Sequence, residues 1–309
     1  MTKNELKIVF MGTPEFAVAT LQALLENEFQ VKAVITAPDR AAGRGMKLKQ
    51  SAVKEFALKH NIPVLQPTNL KNKAFQEELK SFEADVQIVV AFRMLPESVW
   101  DMPEHGTINI HGSLLPNYRG AAPIHWAVIN GEKESGVSTF KLKHKIDTGD
   151  ILLQSAVPIE DDDTTGDVHD KLMVEGAQLL IKTLDKLLDG SLEAQAQVFS
   201  PTDKKAPKIF KKDCEINWEN DCASIHNFIR GLNPYPTAYT FIDGQTLKVH
   251  KASKLIEAHD LAPGKIKTDG KSFLHFACKN GFIVCHEVQL QGKKRMLVED
   301  FLRGWKEKE

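Results

Sequence analysis

The sequence predicts an α/β protein: a parallel-rich sheet covered by helices on both faces, followed by a small antiparallel β-barrel. Three observations predict it. Short apolar runs alternate with helix-period segments through the first two-thirds of the chain, the pattern of a parallel sheet with crossover helices. A long amphipathic stretch then ends at Gly190. Beyond it come short alternating segments punctuated by Gly244, Gly264, Gly270, Gly281 and Gly292, which suits a small barrel.

The elements follow in order. Lys7–Met11 is a short apolar strand ending at Gly12. Thr13 offers a helix N-cap and Pro14 suits the first turn, so Thr13–Glu26 reads as a helix with Ala17, Leu21, Leu24 and Leu25 on its apolar face. Val31–Ile35 is the next strand, Ser51–His60 a helix, and a short strand lies near Val64. Phe75–Ser81 reads as helix, and Val86–Ala91 and Thr107–His111 as buried strands. Val137–Leu142 and Ile151–Val157 complete the sheet. Thr164 and Asp167 fit a capping box for a long helix, whose stripe runs from Val168 through Leu172, Leu179, Leu180 and Leu184 to Leu188. Gly190 stands where a C-terminal cap needs a left-handed residue.

Residues 201–212 hold two prolines and five lysines with little periodicity, and read as a linker or the start of a new unit. The change of character divides the chain into residues 1–205 and 206–309. A helix near Cys222–Leu232 precedes the turn Asn233–Pro236. Ala238–Ile242, Leu247–Lys251, Ser272–Ala277, Phe282–Val288 and Arg295–Val298 then read as barrel strands.

Composition sets the class. Of 309 residues, 42% are hydrophobic and 26% charged, which argues against disorder and supports one or two cores. No apolar run reaches the ~18 residues of a membrane helix. Ile8–Met11 is too short for a signal-peptide core. The four cysteines form no Cys-x-x-Cys pair, so a reducing, cytoplasmic setting is expected. The net charge is −1, so the whole molecule is no general polyanion binder. The charge is uneven, however: roughly −5 before Lys208 and roughly +4 from Lys208 onward. A basic second domain suits a polyanion, although a surface of wandering sign would look similar.

The chemistry concentrates in Thr107–Gly120. Side chains alternate along a strand, so Asn109 and His111 share one face and Ile108 and Ile110 the other. A polar pair in an apolar sheet is costly unless satisfied or used. It also stands at the strand's C-terminal end, where open α/β sheets bind ligands. A second stretch, Ile146–Asp150, places Asp147 and Asp150 around Gly149, where the backbone can bend sharply.

There is no Gly-x-Ser-x-Gly elbow, no cysteine near these residues and no clustering of the eleven histidines. Serine-hydrolase, thiolate and metal chemistry are therefore disfavoured, and no metal is expected. Acyl transfer without a covalent enzyme intermediate remains. Asn109 is suited to stabilise an oxyanion, His111 to move a proton, and Asp147 to position His111 or a water.

Asn109-Ile-His111, Ser113-Leu-Leu-Pro116, Tyr118-Arg-Gly120 and Asp147-Thr-Gly-Asp150 resemble the signature of the 10-formyltetrahydrofolate-dependent formyltransferases. Phe10–Phe16, Pro38–Gly45, Ser113–Ile124 and Phe228–Pro236 extend the resemblance over nearly the whole chain. The Asn/His/Asp set alone indicates only the superfamily. The Pro38–Gly45 loop with a C-terminal barrel resembles the members that formylate methionyl initiator tRNA.

That resemblance implies a Rossmann-like catalytic domain and an OB-like, tRNA-binding C-terminal domain. It implies formyl transfer from 10-formyltetrahydrofolate to the α-amino group of methionyl initiator tRNA, with no metal. Asn109, His111 and Asp147 match the catalytic residues. Ser113, Leu114, Leu115 and Pro116 match the folate-contacting loop, and Phe92, Arg93, Met94 and Leu95 the lining of the pterin pocket. The Pro38–Lys49 loop matches the segment that reaches the tRNA acceptor end. Its Arg40, Arg44, Lys47 and Lys49 are suited to phosphates. The expected partners are therefore initiator tRNA and folate, with no membrane, and the chain is expected to act as a monomer.

The chain departs from the family at two places. Ala91–Pro96 is shorter and more basic than the usual form, with Arg93 where a small residue is common. His144 and Lys145 precede Ile146 where Asp- and Gly-containing sequence is common.

Three other readings compete. A formyltransferase acting on a small amine, such as glycinamide ribonucleotide or an amino-sugar nucleotide, would share the Asn/His/Asp set. A nicotinamide oxidoreductase would share the sheet, but Gly12-Thr-Pro-Glu lacks the Gly-x-Gly-x-x-Gly fingerprint. A non-enzymatic RNA-binding protein would explain the basic half but leave the Asn/His/Asp set without a reason.

Overall fold

The computed structural model describes residues 2–42 and 47–305. In chain order the elements are β1 (Lys7–Gly12), α1 (Glu15–Glu26), β2 (Gln30–Ile35), β3 (Arg40–Ala42), β4 (Lys47–Lys49), α2 (Ala52–Lys59), β5 (Val64–Leu65), α3 (Lys73–Lys80), β6 (Val86–Val90), α4 (Glu97–Trp100) and β7 (Thr107–His111). There follow β8 (Arg119–Gly120), α5 (Pro123–Ile129), β9 (Glu134–Lys141), β10 (Ile151–Pro158), α6 (Thr165–Leu188), β11 (Lys205–Ala206) and α7 (Cys222–Gly231). The chain ends with β12 (Ala238–Ile242), β13 (Gln245–Leu255), β14 (Ile266–Thr268), β15 (Leu274–Cys278), β16 (Gly281–Leu290), β17 (Met296–Leu297) and α8 (Val298–Gly304).

The described residues form two compact units whose segments interleave along the chain. One holds 1–119, 135–157 and 169–204; the other holds 120–134, 158–168 and 205–309.

The first unit is built on a seven-stranded sheet of order β10-β9-β7-β6-β1-β2-β5. From β5 to β7 all neighbours are parallel. The sheet is Rossmann-like but mixed, because β9 runs antiparallel to β7. A parallel return needs a crossover helix lying on the sheet. The one helix between β7 and β9 is α5, and it belongs to the second unit. Val9, Met11, Ala33, Ile35 and Val89 pack against Phe75 and Leu79 of α3 on one side. Gly176 of α6 lies against Ile110 and Val137; a Cβ there would sit 3.3 Å from Ile110. The Ile110 side of β7 therefore meets α6, and Asn109 and His111 project from the other side.

The local signals for these helices hold with two adjustments. Ser51 caps α2 by accepting from Lys54 N–H, and Thr164 with Asp167 forms the expected capping box before α6. Gly190 adopts φ +77° just past that helix. The helix expected from Thr13 instead begins at Glu15, with Pro14 in the cap position and no side-chain cap bond. The segment expected as an irregular loop over Pro38–Lys49 contains an antiparallel ribbon of β3 and β4, with Arg40 opposite Lys49.

The second unit carries a six-stranded antiparallel sheet, β12-β13-β16-β15-β14 with β17 on β16. The sheet is curled, consistent with a small OB-like domain. The bend has a local cause. Two register shifts between β13 and β16, one leaving His250 of β13 and the other His286 of β16 as the extra residue, insert bulges that increase strand twist. Ile225 and Ile229 of α7 fill the concave side with Val249, Phe276, Ile283 and Val288. Trp218 stacks on Phe276 with ring centroids 4.6 Å apart.

Sequence periodicity missed some short elements. The run expected as a strand to Val298 is β17 followed by α8. That helix buries Phe301 and Leu302, and Trp305 just beyond it donates to Asp243 at 2.7 Å. β14, α4 and α5 were also beyond its reach, being only a few residues long. Residues 201–212, expected as a linker or the start of a new unit, contain β11, which pairs with β8, and a segment of the second unit begins at Lys205. No helix among the described residues is long and apolar enough to cross a membrane.

Candidate active site

Asn109 and His111 emerge from β7 where its neighbours run out. Val90 of β6 pairs with Ile110, so His111 lies beyond the last parallel partner. On its other side His111 is opposite Ser138 of β9. His111 is buried, with 8% of its surface exposed, whereas Asn109 is half-buried. The Asn109 carboxamide hydrogen-bonds to no group among the described residues and is free to serve a ligand.

His111 Nε2 lies 2.9 Å from the carbonyl oxygen of Tyr118. A carbonyl only accepts, so Nε2 carries the proton of that bond. In the neutral ring Nδ1 is then the free base. Nδ1 faces the carboxylate of Asp147, with Oδ2 at 4.0 Å. That separation is too long for a direct hydrogen bond and leaves the imidazole free to accept a proton from a third group. Both side chains are about nine-tenths buried, at 9% and 12% exposed. At that burial a charge on either side chain would be weakly screened by solvent. The Phe140 ring meets His111 edge-on, with centroids 6.5 Å apart.

The backbone explains how Asp147 reaches this position. Asp147 has φ +52°, a left-handed conformation uncommon outside glycine. Gly149 runs so close to β9 that a Cβ would fall 1.5 Å from the Lys141 carbonyl oxygen. The carboxamide of Gln197 donates to the carbonyls of both Asp147 and Gly149, at 3.0 and 2.7 Å. Asp150 has a different role. Its carboxylate pairs with Lys143 at 2.7 Å, and its carbonyl accepts from Lys141 N–H.

The Ser113–Pro116 loop is held by a buried hydroxyl. Ser138 Oγ donates to Ser113 O at 2.6 Å and accepts from Leu115 N–H at 3.1 Å. Gln154 Nε2 donates to Ser138 Oγ and to Leu115 O. Ser113 itself is fully buried and donates to Asn117 O at 2.7 Å, so its hydroxyl is spent on the loop. Leu115 is buried, and Leu114 approaches Gly136, where a Cβ would fall 2.4 Å from its Cδ2. Pro116 accepts from Arg119 Nε through its carbonyl.

The Phe92–Leu95 segment follows β6. Leu95 belongs to the core with Val89 and Val99, Phe92 packs at its margin, and Met94 is 74% exposed. Arg93 donates to the carbonyls of Pro67 and Thr68 and lies over the Phe92 ring. Burial first, then the charge of Arg40, lowers its pKa. The extra cation noted in the sequence thus ties this segment to the loop after β5.

In the β3–β4 ribbon, Arg40 and Lys49 are cross-strand partners and both are exposed. Like charges directly opposite repel, and an anion between them would relieve the repulsion. The ribbon's base is anchored by Asp39, which accepts from Lys54 and Gln66. The side chain of Lys47 and the whole of Arg44 lie outside the described residues. Among the described residues, no three His, Cys, Asp or Glu side chains gather as metal ligands.

The structure therefore brings His111 and Asp147 together, with Asn109 beside His111 on its strand. Gln197, Ser138 and Gln154 escaped the sequence reading. Each acts on backbone groups far away in the chain and carries no motif of its own.

The family model described as "Formyl transferase" matches residues 6–184, and "Formyl transferase, C-terminal domain" matches residues 208–306. A protein of Bacteroides fragilis named "Methionyl-tRNA formyltransferase" is 49% identical over 313 residues, covering 99% of this chain and 97% of its own. One of the same name from Parabacteroides distasonis is 51% identical over 317 residues, covering 99% and 98%. Among solved structures, WlaRD, a sugar 3N-formyl transferase, matches with a TM-score of 0.67 at 23% identity, covering 94% of this chain and 99% of that one. At that identity the likeness concerns the fold.

Proposed function

The chain belongs to the formyl transferase family, and on that premise we propose that it transfers a formyl group from 10-formyltetrahydrofolate to the α-amino group of methionyl initiator tRNA. The observation that carries the catalytic assignment is His111, its Nε2–H held by Tyr118 O and its Nδ1 turned to Asp147 at 4.0 Å.

The α-amino group has a pKa of about 7.7–8.0, so a useful fraction is neutral near pH 7 and needs positioning more than a strong base. Its nitrogen attacks the formyl carbon, and the carbonyl electrons move to oxygen. The Asn109 amide donates to that oxyanion. The ammonium proton passes to His111 Nδ1, and Asp147 stabilises the imidazolium. The bond from the formyl carbon to N10 then breaks, and N10 takes the proton back from His111. The products are N-formylmethionyl-tRNA and tetrahydrofolate, with the enzyme restored.

The Ser113–Pro116 and Phe92–Leu95 segments would hold the folate at the C-terminal edge of the parallel strands. Arg40, Arg44, Lys47 and Lys49 would meet the acceptor end of the tRNA. Residues 1–205 would act as the catalytic domain and 206–309 as the tRNA-binding domain. In support, the second unit has a cavity of about 620 Å³ bordered by Lys208, Lys211, Lys248, Tyr235 and Tyr239. Cations beside aromatic rings suit a nucleic-acid strand. A single chain supplies Asn109, His111 and Asp147, so the working form would be a monomer, and the four free cysteines suit a reducing cytoplasm.

The test is to incubate the purified protein with 10-formyltetrahydrofolate and methionyl initiator tRNA and to measure both products. Equal amounts of N-formylmethionyl-tRNA and tetrahydrofolate are expected. Transfer to glycinamide ribonucleotide or an amino-sugar nucleotide, with none to the tRNA, would overturn the substrate assignment.

A further inference from the structure

We propose that Gln197 is a positioning residue for Asp147: its carboxamide clamps the Asp147–Gly149 turn and so sets the carboxylate against His111. The proposal rests on the catalytic reading of Asp147 given above.

Gln197 follows α6 in a stretch tied to the sheet at Gln195, which exchanges both backbone hydrogen bonds with Ile151 at 2.8 Å. Its side chain spends both amide hydrogens on the turn, one on Asp147 O and one on Gly149 O. The orientation of the amide is settled by its partners, since reversing it would set its oxygen against two carbonyls. Its Oε1 is buried without a hydrogen-bond partner among the described residues. A buried acceptor left unsatisfied is costly, and the two donor bonds on the far side offset that cost.

The turn needs such a clamp. Asp147 is left-handed at φ +52°, a conformation that costs a residue with a side chain free energy and persists only where its surroundings hold it. If the turn relaxed, the carboxylate would leave its place near Nδ1. A shift of about 1 Å can cost about 10²-fold in rate.

The same stretch also braces the histidine. Lys204 O accepts from Tyr118 N–H at 2.6 Å, and Tyr118 O accepts the His111 proton. Phe199 lies under the Arg119 guanidinium at 4.3 Å, and Asp203 pairs with Arg119 at 3.3 Å. One run of chain with no catalytic group of its own thus touches the supports of both His111 and Asp147.

The test compares Gln197→Ala, Gln197→Glu and Asp147→Asn, alone and combined, in the full-length protein. Gln197→Ala should lower kcat about 10-fold or more, with little change in KM for 10-formyltetrahydrofolate. The double variant Gln197→Ala/Asp147→Asn should be no slower than Asp147→Asn, because Gln197 acts through Asp147. Gln197→Glu turns a donor into a carboxylate facing two carbonyls. It should lose activity at pH 8 and regain part of it on acidification, when the protonated acid can donate again. Hydrogen exchange of the Thr148–Asp150 amides gives a readout independent of turnover and should accelerate in Gln197→Ala. Wild-type kcat with unchanged exchange, or fully additive losses in the double variant, would overturn the proposal. A wild-type protein that formylates no tRNA would instead overturn the assigned activity, and the exchange measurement would still judge the clamp.

Discussion

His111 and Asp147 face each other across 4.0 Å, one at the end of β7 and the other in the turn that follows β9. The imidazole is fixed from behind by Tyr118 O, so its Nδ1 is the only ring nitrogen turned to the carboxylate.

That arrangement predicts how the three polar groups divide the work. Asn109→Ala, His111→Ala and Asp147→Ala should each lower kcat by ~10²-fold or more, the scale of oxyanion and acid–base effects. Asp150→Asn should stay near wild type, since its partner Lys143 is exposed and such pairs contribute about 0–1 kcal/mol. Single-turnover rates with saturating folate and tRNA separate the two groups. Equal losses for Asp147→Asn and Asp150→Asn would contradict the assignment.

Gly149→Ala should be more damaging than a surface glycine substitution. Its Cβ would overlap the Lys141 carbonyl oxygen, and backbone on both sides would have to move. A well-folded protein with lowered melting temperature and at least ~10²-fold slower turnover is expected, because the turn carries Asp147. Gly304→Ala, with open space around its Cβ and no left-handed backbone to strain, is the control for the stability change.

Ser138→Ala removes the hydroxyl that joins Ser113 O, Leu115 N–H and Gln154. The buried Leu115 N–H then lacks a partner, at a cost of about 1–3 kcal/mol. KM for 10-formyltetrahydrofolate should rise more than kcat falls. Ser138→Thr, which keeps the hydroxyl, should restore most of the loss. Isothermal titration with folate provides the direct measure.

Arg40→Ala and Lys49→Ala should weaken tRNA use and spare folate binding, since the two cations face each other on the ribbon. Removing one phosphate-binding cation should reduce the log–log salt slope of tRNA binding by about one unit. Filter binding at several salt concentrations reads this. Unchanged slopes in both variants would remove the ribbon from the tRNA interface.

The second unit should lose stability in mild acid. His226, His250, His275 and His286 all have pKa values below that of an ordinary histidine, burial being the first cause in each. The unfolded chain therefore binds more protons than the folded one as pH falls through about 6.5. The stability is present above that value and is lost as pH descends toward the folded pKa values. Asp221 and Asp269, held low by hydrogen bonds, stay ionised there and do not mask the effect. Calorimetry from about pH 7.5 to about 5.5, a window spanning the ordinary histidine value, should show a falling transition temperature. A flat profile would mean that these rings take up protons without penalty.

Much of this was legible from residue order, for a physical reason. Strand alternation is a local property, so the shared face of Asn109 and His111 follows from their spacing alone. Caps are local as well: Thr164 and Gly190 stand where their chemistry indicated, whereas Thr13 does not cap α1. Short elements were less legible. The α8 segment beyond Val298 has no reading in the sequence because only a few residues carry its pattern, and its burial of Phe301 depends on the core it joins.

Order along the chain thus settled the alternation of strands and helices, the polar pair on β7 and the turn chemistry around Gly149. Folding in three dimensions settled the rest: the antiparallel placement of β9, the approach of Asp147 to His111, and the hold of Gln197 and Ser138 on distant carbonyls. The division has one cause. Backbone geometry is dictated by neighbours in sequence, whereas these contacts join residues that meet only once the sheet has formed.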